Sequence, residues 1–263
     1  MTLQDMLDEA AKGETVTIAD GWSQGRATYG GLVAALQLAA MRNRVDGALP
    51  PLRTLTTNFL AAVAPGEVSV TSSTLRQGSN ITQCEARVVQ EGRVAAVSVA
   101  VFGSARRSGL RVHPETRMPR LPDPFDLEPL TPKSTGGPEF LQHMELRLVE
   151  GDQPFSGSPR SSFTGWMRLR EPGCTFGEEH LVALADAWPT PALQRLHEPA
   201  AASTVSWTLE IVGDLRHVAP TAQWAYAARA DTAADGYAHG EARIWRPHGG
   251  LTAISRQTDA VLG

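Results

Sequence analysis

Apolar and polar positions along this chain fall into two blocks that follow the same order. Thr2-x-x-Asp5 is an N-cap pair before an amphipathic stretch to about Lys12, which predicts a short opening helix. Thr15-Val16-Thr17-Ile18 is a β-type run. From Gly30 through Met41 every residue except Gln37 is Gly, Ala, Val, Leu or Met. A helix apolar on all sides must be buried on all sides, so something has to wrap around it. Arg42, Asn43 and Arg44 close it with the positive charge that a helix C-terminus favours. Four β-rich runs follow, Leu52–Val63, Val68–Leu75, Ile81–Gln90 and Val94–Phe102, broken at Pro65-Gly66, Gly78 and Glu91-Gly92. One buried helix followed by four antiparallel strands predicts a sheet curled around that helix.

The second block repeats the first. Glu85-Ala86-Arg87-Val88-Val89 returns as Glu241-Ala242-Arg243-Ile244-Trp245, 156 residues later. Leu32-Val33-Ala34-Ala35 returns as Leu181-Val182-Ala183-Leu184 at 149, and Arg53-Thr54-Leu55-Thr56 as Ser203-Thr204-Val205-Ser206 at 150. Offsets that drift by so little across half a chain argue for duplication. Between the copies, 9 of the 18 prolines fall from Pro114 to Pro159, and a stretch holding Pro119, Pro122, Pro124, Pro129, Pro132 and Pro138 sustains neither a helix nor a central strand. The expected organisation is residues 1–105 as a first unit, 106–138 as a Pro-rich surface linker and 139–263 as a second unit.

Charge narrows the partners. With 24 basic and 28 acidic residues the net charge is −4, which offers no global attraction to nucleic acid or anionic lipid. The N-terminal residues Met1 to Glu9 carry no signal-peptide pattern, and no run of ~18 apolar residues occurs, so a soluble cytoplasmic chain without a membrane partner is expected. Cys84 and Cys174 have no metal-site or disulfide-framework spacing, and both are expected to be buried reduced thiols. His143, His180, His197, His217, His239 and His248 show no paired ligand spacing, so neither a metal nor a cofactor is expected. Gly21-Trp22-Ser23-Gln24-Gly25 has the letters of a nucleophile elbow but leads into the wrong kind of strand–helix unit.

Tyr29-Gly30-Gly31-Leu32-Val33-Ala34-Ala35, Asn58-Phe59-Leu60 with Pro65-Gly66, Leu75-Arg76-Gln77-Gly78 and Val94 to Gly103 carry a family resemblance in the first half. Leu184-Ala185-Asp186, Ser203-Thr204-Val205 and Ser255-Arg256-Gln257 carry it in the second. With them the chain resembles the double-hotdog acyl-CoA thioesterases. The resemblance implies an α+β fold of two tandem antiparallel sheets, each wrapped around a central helix. It further implies hydrolysis of an acyl-CoA substrate by a water that Asp186, Thr204 and Gln257 activate, without metal or covalent intermediate.

The repeat weighs these residues independently. Past a one-residue insertion, Gln257 falls on Ala100 inside an apolar run, so an amide stands where the first half has a core residue. Asp186 falls on Gln37, each the sole polar residue of its apolar stretch. A carboxylate in the last helical turn opposes the macrodipole, and apolar surroundings disfavour its charge, so both effects raise its pKa toward that of a general base. A neutral amide at Gln37 cannot deprotonate water, which leaves the first half without its own hydrolytic centre. Thr204, Ser206, Thr208 and Glu210 alternate with Val205, Trp207, Leu209 and Ile211, the pattern of a solvated sheet face, and Thr54 matches Thr204 in half one. Gly30 and Gly31 open the buried helix with free N–H groups suited to an oxyanion, whereas Gly177-Glu178-Glu179 at the second helix start would repel one. The expectation is therefore a composite site, with water held by the second half and the carbonyl polarised by the first. Arg76, Arg106 and Arg107 are candidates for CoA phosphates but read first as solvated surface charges. A homodimer is expected because hotdog units pair sheet edge to sheet edge. Two other functions share the fold: a non-catalytic acyl-CoA or lipid-binding protein, and an enoyl-CoA hydratase, whose Asp-x-Asn-Pro-x-His string does not occur here.

Overall fold

The computed structural model describes residues 1–13, 15–43, 49–131, 136–171 and 173–262; Arg44 and Pro132 lie outside them. The opening helix α1 (Leu3–Lys12) carries the expected capping box between Thr2 and Asp5 and buries Leu3, Met6, Leu7 and Ala10. Strand β1 (Thr15–Ile18) and a hairpin of β2 (Ser23–Gln24) and β3 (Ala27–Thr28) lead to the apolar helix α2 (Gly30–Arg42). Residues Gly31 to Met41 of α2 are all buried, as an all-round apolar helix requires. Four strands follow, β4 (Leu52–Phe59), β5 (Gly66–Gln77), β6 (Ile81–Gln90) and β7 (Arg93–Gly103). The first of the predicted runs ends four residues early, because Leu60 and Ala61 leave the ladder and donate together to Ala95 O.

The second half begins with a 3-10 turn (Glu139–His143), then β8 (Met144–Glu150), β9 (Ser162–Leu169) and helix α3 (Glu178–Ala185). A second 3-10 turn (Pro191–Arg195) precedes β10 (Ala201–Ile211), β11 (Trp224–Ala234), β12 (Tyr237–Trp245) and β13 (Leu251–Leu262). The fold is that of the hotdog, with the two expected sheets continuous as one. Eleven strands run in the order β1-β5-β6-β7-β4-β10-β13-β12-β11-β9-β8, and the halves join through the antiparallel pair β4–β10. Thr56 and Thr208 sit opposite each other at that seam with their hydroxyls 3.1 Å apart.

Helices α2 and α3 pack antiparallel over the sheet, and polar contacts fix both ends of the pair. At one end Tyr29 donates its hydroxyl to Ala183 O at 2.6 Å. At the other, Arg42 pairs with both Glu178 and Glu179, and Glu178 also accepts the N–H of Leu52. The acidic first turn of α3 thus pairs with the cationic side chain in the last turn of α2, each charge lying where its own helix macrodipole favours it. The outer face of the second half carries a smaller apolar cluster of Trp166, Ala225 and Trp245, over which Met118, Leu121 and Leu127 of the Pro-rich span are packed. Trp166 Nε1 anchors that span by donating to Pro122 O at 3.0 Å.

One expectation fails outright. Cys84 is buried, but Cys174 is exposed, because it lies in the loop leading to α3 rather than on a packed element. Among the described residues no helix is long and apolar enough to cross a membrane.

Candidate active site

The antiparallel helix pair brings the end of α3 against the start of α2. Asp186 is the C-cap of α3, where the chain leaves the helix before Pro189. Its Oδ1 accepts a hydrogen bond of 2.5 Å from Gln257 Nε2 on β13. The Gly31 N–H at the start of α2 is directed to the same carboxylate. Gly30 lies so close that a Cβ there would stand 3.0 Å from Asp186 Oδ2 and 3.2 Å from the Phe59 ring. At Gly31 a Cβ would meet the Tyr29 ring at 2.6 Å and Ala183 O at 2.7 Å, so no side chain fits.

Burial pushes the Asp186 carboxyl up to about 7, with the nearby negative charge of Asp259 adding to it; the hydrogen bonds from Gln257 and Gly31 pull the other way. A carboxyl poised there is part ionised near neutral pH, the condition for moving a proton in both directions. Asp259 is itself raised by burial, tempered by the hydroxyls of Thr204 and Thr190 and by His239. Tyr29 and Tyr226, both raised by burial and by the Asp186 charge, stay neutral.

Thr204 comes to the inner face by a route that alternation cannot reveal. The β10–β13 register shifts between Thr204 and Ser206, a bulge that leaves Val205 exposed while Trp207, Leu209 and Ile211 point inward. Without the bulge Thr204 would share the outer face of Thr208. With it, Thr204 Oγ1 donates to Asp259 Oδ1 at 2.9 Å. Asp186 and Gln257 are therefore in direct contact, Gly30 and Gly31 flank them from the other half, and Thr204 connects through Asp259. Arg76, Arg106 and Arg107 are exposed, and Ser23 lies in the short β2–β3 hairpin, not at a strand–helix elbow.

The first half has no counterpart. Gln37, which aligns with Asp186, is fully buried and donates to Ala86 O at 2.9 Å while accepting from Ser98 Oγ at 2.7 Å. Asp259 escaped the sequence reading although the signal was present: at the offset that puts Gln257 on Ala100, Asp259 falls on Phe102, a fully buried core residue.

Asp186 also lines a cavity of about 280 Å³ whose walls include Phe140, Leu146, Leu148, Phe163, Trp188 and Leu193. Gly165 admits the Trp188 ring, since a Cβ there would stand 2.6 Å from it. A larger open depression of about 540 Å³ lies on the opposite sheet face beside Arg229 and Arg243. Those arginines are already paired with Glu241, and the depression is on the wrong side of the sheet to serve Asp186.

Two sequence families match in tandem. Residues 18–103 match the acyl-CoA thioesterase N-terminal domain, and residues 119–261 match the acyl-CoA thioesterase C-terminal domain. No curated protein sequence matches. Among solved structures, a hot dog fold protein of unknown function from Alicyclobacillus acidocaldarius is similar at TM-score 0.86 and 24% identity, covering 98% of each chain. An acyl-CoA thioesterase II from Mycobacterium marinum is similar at TM-score 0.74 and 20% identity over 97% of each chain. A tesB protein from Mycobacterium avium subs paratuberculosis is similar at 0.76 and 16% over the full length of both. At these identities the structural likenesses speak to the fold.

Proposed function

Because the chain belongs to the acyl-CoA thioesterase family, we propose that it hydrolyses acyl-CoA thioesters at the Asp186 site, giving a free acid and CoA. The observation that carries this reading is a carboxyl with a pKa of about 7 lining an apolar cavity and held by Gln257 and Gly31.

In this mechanism the ionised Asp186 takes a proton from a water as its oxygen attacks the thioester carbonyl carbon. The carbonyl π electrons move to oxygen, and the free N–H groups at the start of α2, Gly30 foremost, face the developing charge. Collapse breaks the carbon–sulfur bond, and protonated Asp186 returns its proton to the leaving thiolate. The Gln257 amide keeps the carboxylate in one orientation, so the lone pair that takes the proton is fixed. Asp259, with Thr204 attached, acts through Asp186 by keeping its pKa high. Thr204 donates its hydroxyl to Asp259 and so positions it, while its oxygen lone pairs stay able to accept from a water. The site draws on both halves, which explains why the helix pair is fixed at each end.

Release of free thiol from an acyl-CoA, followed with a chromogenic disulfide, tests the reaction. Absence of release across short and long chains would favour the binding-protein reading. We further propose that this hydrolase is a homodimer in a cytoplasmic setting, and sedimentation analysis tests the first.

A further inference from the structure

We infer that the cavity beside Asp186 selects a compact, apolar acyl group of about eight to eleven carbons, an inference that rests on the proposed hydrolase reading. Its volume is about 280 Å³. An apolar cavity of about 150 Å³ holds benzene, six carbons, so this one accommodates somewhat under twice that number. A sixteen-carbon chain does not fit without opening a wall.

The walls are built to resist that opening. The segment joining β8 to β9 supplies Asp152 to Phe155 to the lining and is latched to the turn at Pro191–Arg195. Phe155 N–H donates to Leu193 O, Gly157 N–H to Leu196 O and Ser158 N–H to Gln194 O, each at 2.8 Å. Gln194, nearly fully buried, accepts from Asp152 N–H at 2.6 Å and donates to Ser162 O and Pro191 O. Ser158 Oγ donates to Asp152 Oδ2 at 2.6 Å. The polar side chains of Asp152, Ser158 and Gln194 thus satisfy one another. Leu146, Leu148, Phe155, Phe163 and the Trp188 ring supply the apolar surface that rewards methylenes.

The test is a chain-length series, butanoyl- to palmitoyl-CoA, measured as kcat/KM on wild type, Phe155→Ala and Leu148→Trp. Binding of the same thioesters to Asp186→Asn is measured by calorimetry. Wild type is expected to prefer octanoyl- or decanoyl-CoA over palmitoyl-CoA by at least tenfold. Phe155→Ala should reduce that preference severalfold, and Leu148→Trp should move the optimum toward butanoyl-CoA. A palmitoyl optimum, or one profile shared by all three proteins, overturns the inference while leaving the hydrolase reading intact. Wild type that cleaves no thioester, with Asp186→Asn still binding octanoyl-CoA at least tenfold more tightly than palmitoyl-CoA, overturns the hydrolase reading and supports the cavity inference.

Discussion

Gln257 Nε2 donates to Asp186 Oδ1 at 2.5 Å, tying the last strand of the chain to the C-cap of the second central helix. The two residues are 71 apart in sequence, both in the second half, and Gly31 of the first half faces the same carboxylate. Replacing Gln257 with Ala removes the donor that orients Asp186 without removing the base. We expect kcat to fall ~10- to 100-fold, less than the ~10²- to 10⁴-fold attached to a general base itself. Steady-state kinetics on Gln257→Ala and Gln257→Glu check this. The Glu variant should be worst near neutral pH and recover at higher pH, because a second negative charge would raise the Asp186 pKa further and move its base form to higher pH.

The pH profile carries the sign of the Asp186 shift. Its base form is needed, so kcat/KM should rise with pH along a limb centred near 7. Asp259→Asn keeps the shape and an acceptor for Thr204 but deletes the charge that raises Asp186, so the limb should move to lower pH. A limb that stays in place, or moves up, would show that Asp259 does not act on Asp186.

The same shift affects stability. The folded-state pKa of Asp186 lies above its unfolded value near 3.8, so the folded chain holds a proton that the unfolded chain has already released. This group therefore costs stability progressively as pH rises from about 4 to about 7, by at most about 4 kcal/mol before discounting for partial exposure. Asp186→Asn should be more stable than wild type at pH 8 and lose that advantage near pH 4. Urea denaturation at the two pH values measures it.

Arg42 fixes the far end of the helix pair. Arg42→Ala leaves Glu178 and Glu179 partly buried without their cation, and a destabilisation of about 2–3 kcal/mol is expected in urea denaturation. Gly31→Ala attacks the near end. Its methyl collides with Ala183 O, a backbone atom that cannot swing away, so a cost of about 1–3 kcal/mol should come with loss of activity from displacement of α2 relative to Asp186.

Much of this architecture is written in apolar spacing. The run from Gly30 to Met41 predicts a helix buried on all sides because no other arrangement hides it, and the structure has it. Asp186 and Gln257 were legible as polar interruptions of repeated apolar strings. Thr204 was not, since its inward turn depends on one extra residue at Val205, and a bulge leaves no mark on an alternating pattern. Helix starts advertise free donors but not what stands opposite them, and here the Asp186 carboxylate stands beside Gly30 and Gly31. The exposure of Cys174 was missed because a lone thiol in a loop has no periodicity to read.

The central claim is that Asp186 is the base of a thioester hydrolase. The most direct measurement is thiol release from octanoyl-CoA at pH 8 by wild type and by Asp186→Asn, with circular dichroism confirming that the variant is folded. Wild type should turn over octanoyl-CoA, and the variant should lose at least a hundredfold. Turnover by a folded Asp186→Asn protein at the wild-type rate would contradict it.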